Sequence, residues 1–408
     1  MTAQTLDLPA PRAATADEHN AAQPAHWSGV FAMTLCVFAL IASEFMPVSL
    51  LTPLAADLKV TEGMAGQGIA ISGAFAVLTS LSISTIARRV DRKALLLALT
   101  ALMCLSGAIV GLAPNYLTYM AGRALIGIVV GGFWSMMAAT AMQLVPPSQV
   151  PRALALFNGG NALATVVAAP IGSFLGSTVG WRGAFFCLVP IALIAFAWQW
   201  FSLPSMPARQ RTPGSGNVFR LLKSPLVRRG MLGIGLFFMG QFALFTYLRP
   251  FLETVTRVGA STLSLVLLAI GISGFVGATA IGWVLKQGVY RVLAIIPVLM
   301  AVIAATLIVA GESMTTTTLL LSAWGLLATG APVGWWMWIA RTLPADAEAG
   351  GGLMVAVVQL CIAMGSTLGG VLFDHSGFQS TFAFSAGLLL LGAGMVLLTA
   401  RADGKRST

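Results

Sequence analysis

Charge is scarce in this sequence. Only 9% of its 408 residues are Asp, Glu, Lys or Arg, against about 25% in an ordinary soluble domain. Histidine is nearly missing, with only His19, His26 and His375. No zinc-protease helix motif and no nucleophile-elbow serine motif appears, which argues against a membrane protease or hydrolase. No Walker-type phosphate loop is present either, so ATP hydrolysis by that route is excluded. Gly233 and Gly235 lie inside an apolar run and lack the third glycine of a dinucleotide fingerprint. The four cysteines, Cys36, Cys104, Cys187 and Cys361, stand at irregular spacing within apolar runs. That suggests neither a disulfide framework nor a zinc site, and they read as packing residues. The chain is expected to be no enzyme and to need no cofactor or metal.

What is present in excess is long apolar sequence. The chain is 57% hydrophobic with a mean hydropathy of +0.88, and a helix crosses the hydrocarbon core with roughly 20 apolar residues. Twelve such runs are read, at 28–52, 66–87, 94–113, 116–142, 152–178, 183–203, 230–252, 261–285, 292–311, 315–340, 350–373 and 378–400. The expected fold is an all-α membrane protein of two six-helix pseudo-symmetric bundles, 28–203 and 230–400. Residues 1–27 and 401–408 are expected tails. A polar, Pro/Gly-rich linker over 204–229 separates the bundles, and Phe219, Leu222 and Leu226 beside Arg220, Lys223 and Arg229 suit a short helix on the membrane surface.

The net charge of +10 does not indicate nucleic acid. All but five of the 23 Lys and Arg fall in the tails or in the connections on the N-terminal side: Lys59, Arg182 and Arg257 face the other side, and Arg123 and Arg249 lie within spans. Basic residues stay cytoplasmic, so both termini are expected inside and the basic balance reports topology. The lipid bilayer, a small-molecule substrate and a proton are the expected partners, and the protein is expected to be monomeric.

The halves share a plan at an offset near 200 residues. "AISGAF" from Ala70 matches "GISGFV" from Gly271, and "GGFWSM" from Gly131 resembles "VGWWMW" from Val333. Gly172, Gly180 and Phe185 pair with Gly369, Gly377 and Phe382, each 197 positions on, and Pro47 pairs with Pro250. Parallel repeats of this kind place a substrate site near the midplane between the bundles. Gly127/Gly131, Gly172/Gly176 and Gly365/Gly369 carry the spacing that lets helices approach closely.

Candidate functional residues are therefore polar or aromatic groups at mid-span. Glu44 lies about 25 Å along its helix from Trp27, and an ionisable group at that depth marks a pathway or finds a partner. It carries protons on one reading and is a structural carboxylate on the other. Arg123 of span four stays charged and needs an acceptor: either Glu44, in a switchable pair, or backbone carbonyls. Arg249 stands one turn before Glu253, so an i,i+4 pair competes with substrate contact. Gln241, Phe242 and Phe245 lie on or beside its face. Asn158 and Asn161, with Thr165, recur at helical spacing in span five, and Gln359 lies in span eleven. Trp134, Trp324 and Trp335 add aromatic surface, with Trp336 and Trp338. Aromatic planes plus amides suit a flat polar ligand, and packing or interfacial anchoring is the other reading of the tryptophans.

Across residues 27–400 the chain resembles the major facilitator superfamily, in its bacterial drug:proton antiporter group. The segments that carry the resemblance are "EFMPVSLLTPLA" from Glu44, "GRALIG" from Gly122, "APIGSFLG" from Ala169, "GWRGAFF" from Gly180, "GQFALFTYLRP" from Gly240 and "PVGWWMWIARTLP" from Pro332. Within that group they are most similar to purine ribonucleoside exporters. The resemblance implies proton-driven efflux of inosine, adenosine, guanosine and purine analogues across a bacterial inner membrane, with Arg123 and Glu44 in proton coupling. The sequence departs from the family twice. In "ARRVDRK", Arg88 stands at the aspartate position of the loop motif and Asp91 at its glycine, and Ala169-Pro170 replaces Gly-Pro in span five.

Overall fold

The computed structural model describes residues 25–87, 89–207, 218–343 and 347–404, and it is helical with no strand among them. The tail over 1–24, most of the linker's Pro/Gly-rich stretch, and Arg12, Arg88, Arg209, Arg211, Lys405 and Arg406 lie outside the described residues. Ten helices come first: α1 Trp27–Leu58, α2 Glu62–Ile86, α3 Arg92–Gly111, α4 Tyr116–Leu144, α5 Val150–Thr178, α6 Gly180–Ser202, α7 Pro225–Thr254, α8 Ala260–Val284, α9 Val289–Ala310 and α10 Met314–Thr342. Helices α6 and α7 are each interrupted once, at Cys187 and at Thr246–Tyr247. The last helical stretch, Ala347–Gly404, has 58 residues. At 1.5 Å per residue it is more than twice the thickness of a hydrocarbon core of about 30 Å. It breaks at Gly377 into α11 (347–376) and α12 (378–404), which completes the twelve spans.

The break has a local cause and a counterpart. Gly377 has φ 76, a value side-chain-bearing residues avoid, and Gly180, the first residue of α6, has the same φ. These are the two glycines that the repeat pairs. Polar caps start other helices: Thr61 accepts from the Met64 amide, Asp91 from Lys93, and Asn115 from Thr118. Asp91 also accepts from the Ser205 hydroxyl at 2.6 Å and the Met206 amide at 3.1 Å. It thereby ties the end of α6 to the start of α3. Burial pushes its carboxyl up, but the bonds from Ser205, Met206, Lys93 and Ala94 outweigh that and hold it below the usual range. A depressed carboxylate stabilises the fold above its unfolded range, and that contribution is lost as pH falls through the folded one.

Close helix contacts are built on glycine, and they repeat in the two halves. A Cβ on Gly127 or Gly131 of α4 would meet the backbone of Ser72 or Ala76 in α2; Gly277 of α8 meets Leu326 of α10 in the same way. Gly172 of α5 abuts Ser49 and Met46 of α1, while Gly365 and Gly369 of α11 abut Met239 and Ala243 of α7. Each half has its own apolar core around these contacts. The linker differs from the expected surface helix. Only Val218–Leu221 is a separate helical turn, Leu226 already belongs to α7, and Leu221 and Leu226 are buried among C-terminal residues.

Gly127→Ala should therefore lower the thermal unfolding temperature of the purified protein by several degrees, because overpacking costs about 1–3 kcal/mol. Gly282→Ala, with open space at its Cβ, should leave it unchanged or raise it.

Candidate functional site

Glu44 lies near the middle of α1, since that helix runs on to Leu58. Two turns of its chemistry follow from proline. A proline has no N–H, so the carbonyl four residues earlier loses its helical partner. Pro47 and Pro53 both lie inside α1, and the carbonyls they leave open are those of Ser43 and Ser49. Arg123 Nη1 of α4 donates to Ser43 O at 2.8 Å, and its Nε donates to Gly68 O of α2 at 3.1 Å. Arg249 of α7, from the other bundle, donates to Ser49 O. Both orphaned acceptors are thus filled by arginines.

Arg123 is only 1% exposed, and no ion pair joins it to Glu44 among the described residues. Of the two readings open to Arg123, these contacts are those of the carbonyl-bound one, and Glu44 remains within reach of its charge. Glu44, half-buried, instead accepts from Gln359 Nε2 of α11 at 3.3 Å. The bond is long for N–H···O, and it joins the two bundles at mid-membrane. Beside it the rings of Phe45, Phe242 and Phe245 form a triangle with centroids 6.1, 6.3 and 6.0 Å apart. Val48, Ile69 and Ile362 complete this apolar cluster, so four helices from both halves contribute to it. Gln241 is half-buried nearby in sequence, and its Oε1 has no partner among the described residues.

Other expected residues are dispersed. Asn158 is exposed and donates to Leu154 O of its own helix at 2.9 Å; Asn161 is half-buried. Trp134 packs against the N-terminal core. Trp324 and Trp335 are buried at 1% and 3% exposure within the C-terminal core, Trp335 edge-on to Trp338. They present no face to a ligand, so their expected stacking role is corrected to helix packing. Arg249 forms an ion pair with Glu253 at 2.8 Å and reaches across to α1. It is spent on structure at the bundle junction rather than turned to a cavity.

The sequence reading missed the residues that close one end of the junction. Thr61 donates to Asp374 Oδ2 at 2.6 Å, and the Gly63 amide donates to Asp374 Oδ1 at 2.9 Å. Thr367 donates to Gln67 at 3.0 Å. Tyr247 lies where a Cβ on Gly66 or Gly370 would fall. The Tyr247 ring stacks on Phe373 at 5.3 Å. Phe45 had a signal, being next to Glu44; Asp374, just past the expected end of span eleven, had none. These bonds, with those of Glu44 to Gln359 and Arg249 to Ser49 O, lie between mid-membrane and this face, opposite the one rich in Arg and Lys. Toward the basic face, Leu78, Leu81 and Ser82 of α2 and Gly352 of α11 are exposed. Hydrogen bonds between the bundles thus hold the far face closed.

A protein-family profile described as Major Facilitator Superfamily matches residues 33–365. The chain belongs to that superfamily of multi-pass membrane transporters. It is 64% identical over 98% of both chains to a Pseudomonas aeruginosa protein named transcription regulatory protein OpdE. It is 41% identical to the Salmonella typhimurium purine ribonucleoside efflux pump NepI, over 92% of this chain and 94% of the pump. Among solved structures it resembles an inward-facing, unoccupied bacterial homologue of the lysosomal transporter Spinster, with a TM-score of 0.76, 15% identity and coverage of 93% and 98%. A variant of the nucleoside transporter NupG also scores 0.76, at 11% identity and coverage of 91% and 98%.

Arg123→Lys should destabilise the protein by about 1.5–3 kcal/mol, the range for hydrogen bonds to charged groups, because one ammonium does not span both carbonyls. Pro47→Ala restores the N–H facing Ser43 O, so the double variant should melt higher than Arg123→Lys alone.

Proposed function

We propose that the chain exports purine ribonucleosides, such as inosine, adenosine and guanosine, in exchange for protons, by alternating access. The observation that carries this reading is Glu44: a mid-membrane carboxylate with no ion pair among the described residues, at the junction of the bundles and hydrogen-bonded to an amide of the opposite half. A carboxylate so placed is free to gain and lose a proton. The adjacent Phe45, Phe242 and Phe245 give a flat base an apolar surface, and Gln359 and Gln241 give its edge hydrogen-bond partners. The name of the NepI relatives supports the same cargo. The basic face is cytoplasmic in this reading, with both termini inside a bacterial inner membrane, and it is the side from which an exporter loads.

Protons and nucleoside compete for one site, which links their opposite movements. Exchange of one proton for a neutral nucleoside moves charge, so a membrane potential contributes about 2.3 kcal/mol per 100 mV per charge. In proteoliposomes, inosine transport should respond to both an imposed pH gradient and a potential; indifference to both rejects proton exchange. Glu44→Gln should abolish gradient-driven transport while leaving nucleoside binding measurable by thermal shift. A sugar or multidrug exporter is the alternative cargo reading, and it predicts that sugars or lipophilic cations, not inosine, win a competition assay.

A second reading comes from the OpdE name. Basic residues at helix ends beside a membrane suit lipid headgroups rather than a DNA groove, so an effect on transcription is assigned here to export of a small cytoplasmic effector. A chromosomal reporter that responds to the wild-type chain should then lose its response in Glu44→Gln. A reporter that still responds to Glu44→Gln separates regulation from transport.

A further inference from the structure

Two charged side chains of the C-terminal bundle end on backbone groups that the N-terminal bundle leaves open. Arg249 donates to Ser49 O, the carbonyl that Pro53 deprives of its helical partner. Asp374 accepts from the Gly63 amide and the Thr61 hydroxyl at the start of α2. A helix N-terminus has amides without intrahelical acceptors and a positive end of its dipole. Thr61 fills one vacancy within its own chain segment, accepting from Met64 N at 3.1 Å, and Asp374 fills the next from across the junction. Cation meets carbonyl and anion meets amide, each at an irregularity of the facing helix.

We propose that Arg249 and Asp374 form a two-point latch, positioning residues of the transport cycle that hold the far face closed by completing backbone hydrogen bonds of the opposite bundle. The latch is one-sided. The repeat counterpart of Asp374, 197 positions earlier, is Ser177, which bonds only within its own helix. The other seam is closed by the approach of Gly271 in α8 to Val166 O in α5, without a side-chain hydrogen bond. The latch also has to be reversible. When the bundles rock apart, water entering between them reaches the three partner groups and replaces the lost bonds, so the net hold is modest. That suits an equilibrium between two states only a few kcal/mol apart. The inference concerns the far gate and holds whatever the cargo.

The test is labelling of Val48→Cys, a position buried in the Phe45/Phe242/Phe245 cluster beneath the latch, by a membrane-impermeant maleimide added from the periplasm of cells. Rates are corrected for a parent with the native cysteines only. Asp374→Asn and Arg249→Gln should each raise the rate by roughly tenfold, which corresponds to about 1.4 kcal/mol, and the double variant by about the product. Pro53→Ala, which gives Ser49 O a helical partner, should raise it several-fold even though it removes a helix breaker; a purely structural role predicts the opposite. Thr61→Ala and Pro53→Ala carry the test if Arg249→Gln fails to fold. Unchanged labelling across the folded variants overturns the latch. Inosine counterflow by the same cells reports separately on the cargo.

Discussion

In a hydrocarbon medium, a helix that loses a backbone hydrogen bond must recover it from protein. Helix α1 loses two, at Pro47 and Pro53, and the architecture around it follows from how they are recovered. The Ser43 carbonyl is met by Arg123 from the same bundle and the Ser49 carbonyl by Arg249 from the other. Each arginine in turn needs acceptors, being charged throughout, and a proline-freed carbonyl is one that neither competes with an existing bond nor carries a desolvated charge. The first contact fastens α4 to α1 and, through Gly68 O, to α2. The second fastens one bundle to the other.

That division sorts the junction into permanent and exchangeable parts. Within each half, glycine brings helix backbones together, as at Gly127 on Ser72 and Gly365 on Met239, and such contacts do not separate without loss of the core. Between the halves, α2 and α11 also approach at glycines, Gly63 on Gly370 and Gly73 on Gln359 O, but what fastens them is side-chain hydrogen bonds, Asp374 to Thr61 and Thr367 to Gln67, which water can replace. The same pair of helices is therefore held at the far face by exchangeable bonds, and the bond of Glu44 to Gln359 is the innermost of the contacts across the junction.

Much of the fold was legible because membrane composition repeats a simple length rule. Apolar runs of twenty residues and the confinement of Lys and Arg to alternate connections gave the spans, and the pairing of Gly180 with Gly377 anticipated two turns of equal φ. Helix α1 runs past the expected end at residue 52 to Leu58, with Pro53 inside it, because a proline in a packed helix is bridged by a neighbour. The site was less legible. Composition marks Trp324 and Trp335 as aromatic but not which way they face, and both turn inward. Glu44 and Gln359 stand 315 positions apart, and no local pattern announces such a contact. Asp374 reads as a loop acid until α2 is placed beside it.

The fate of Arg123 bears on what Glu44 is free to do. A contact ion pair between them would tie deprotonation of the acid to retention of the salt bridge, since breaking a buried pair by removing one charge costs several kcal/mol. With its guanidinium committed to Ser43 O and Gly68 O, Arg123 keeps its partners whichever form Glu44 takes. The carboxyl then answers to water, cargo, Gln359 and, through space, the charge of Arg123. An amide both donates and accepts, so Gln359 can bond to the ionised acid through Nε2 or to the protonated acid through Oε1. The bundle contact survives either state but with the amide turned over, and a cargo that needs one face of that amide would distinguish the two. Proton and cargo would thus be linked through the orientation of one side chain rather than through the making and breaking of a salt bridge.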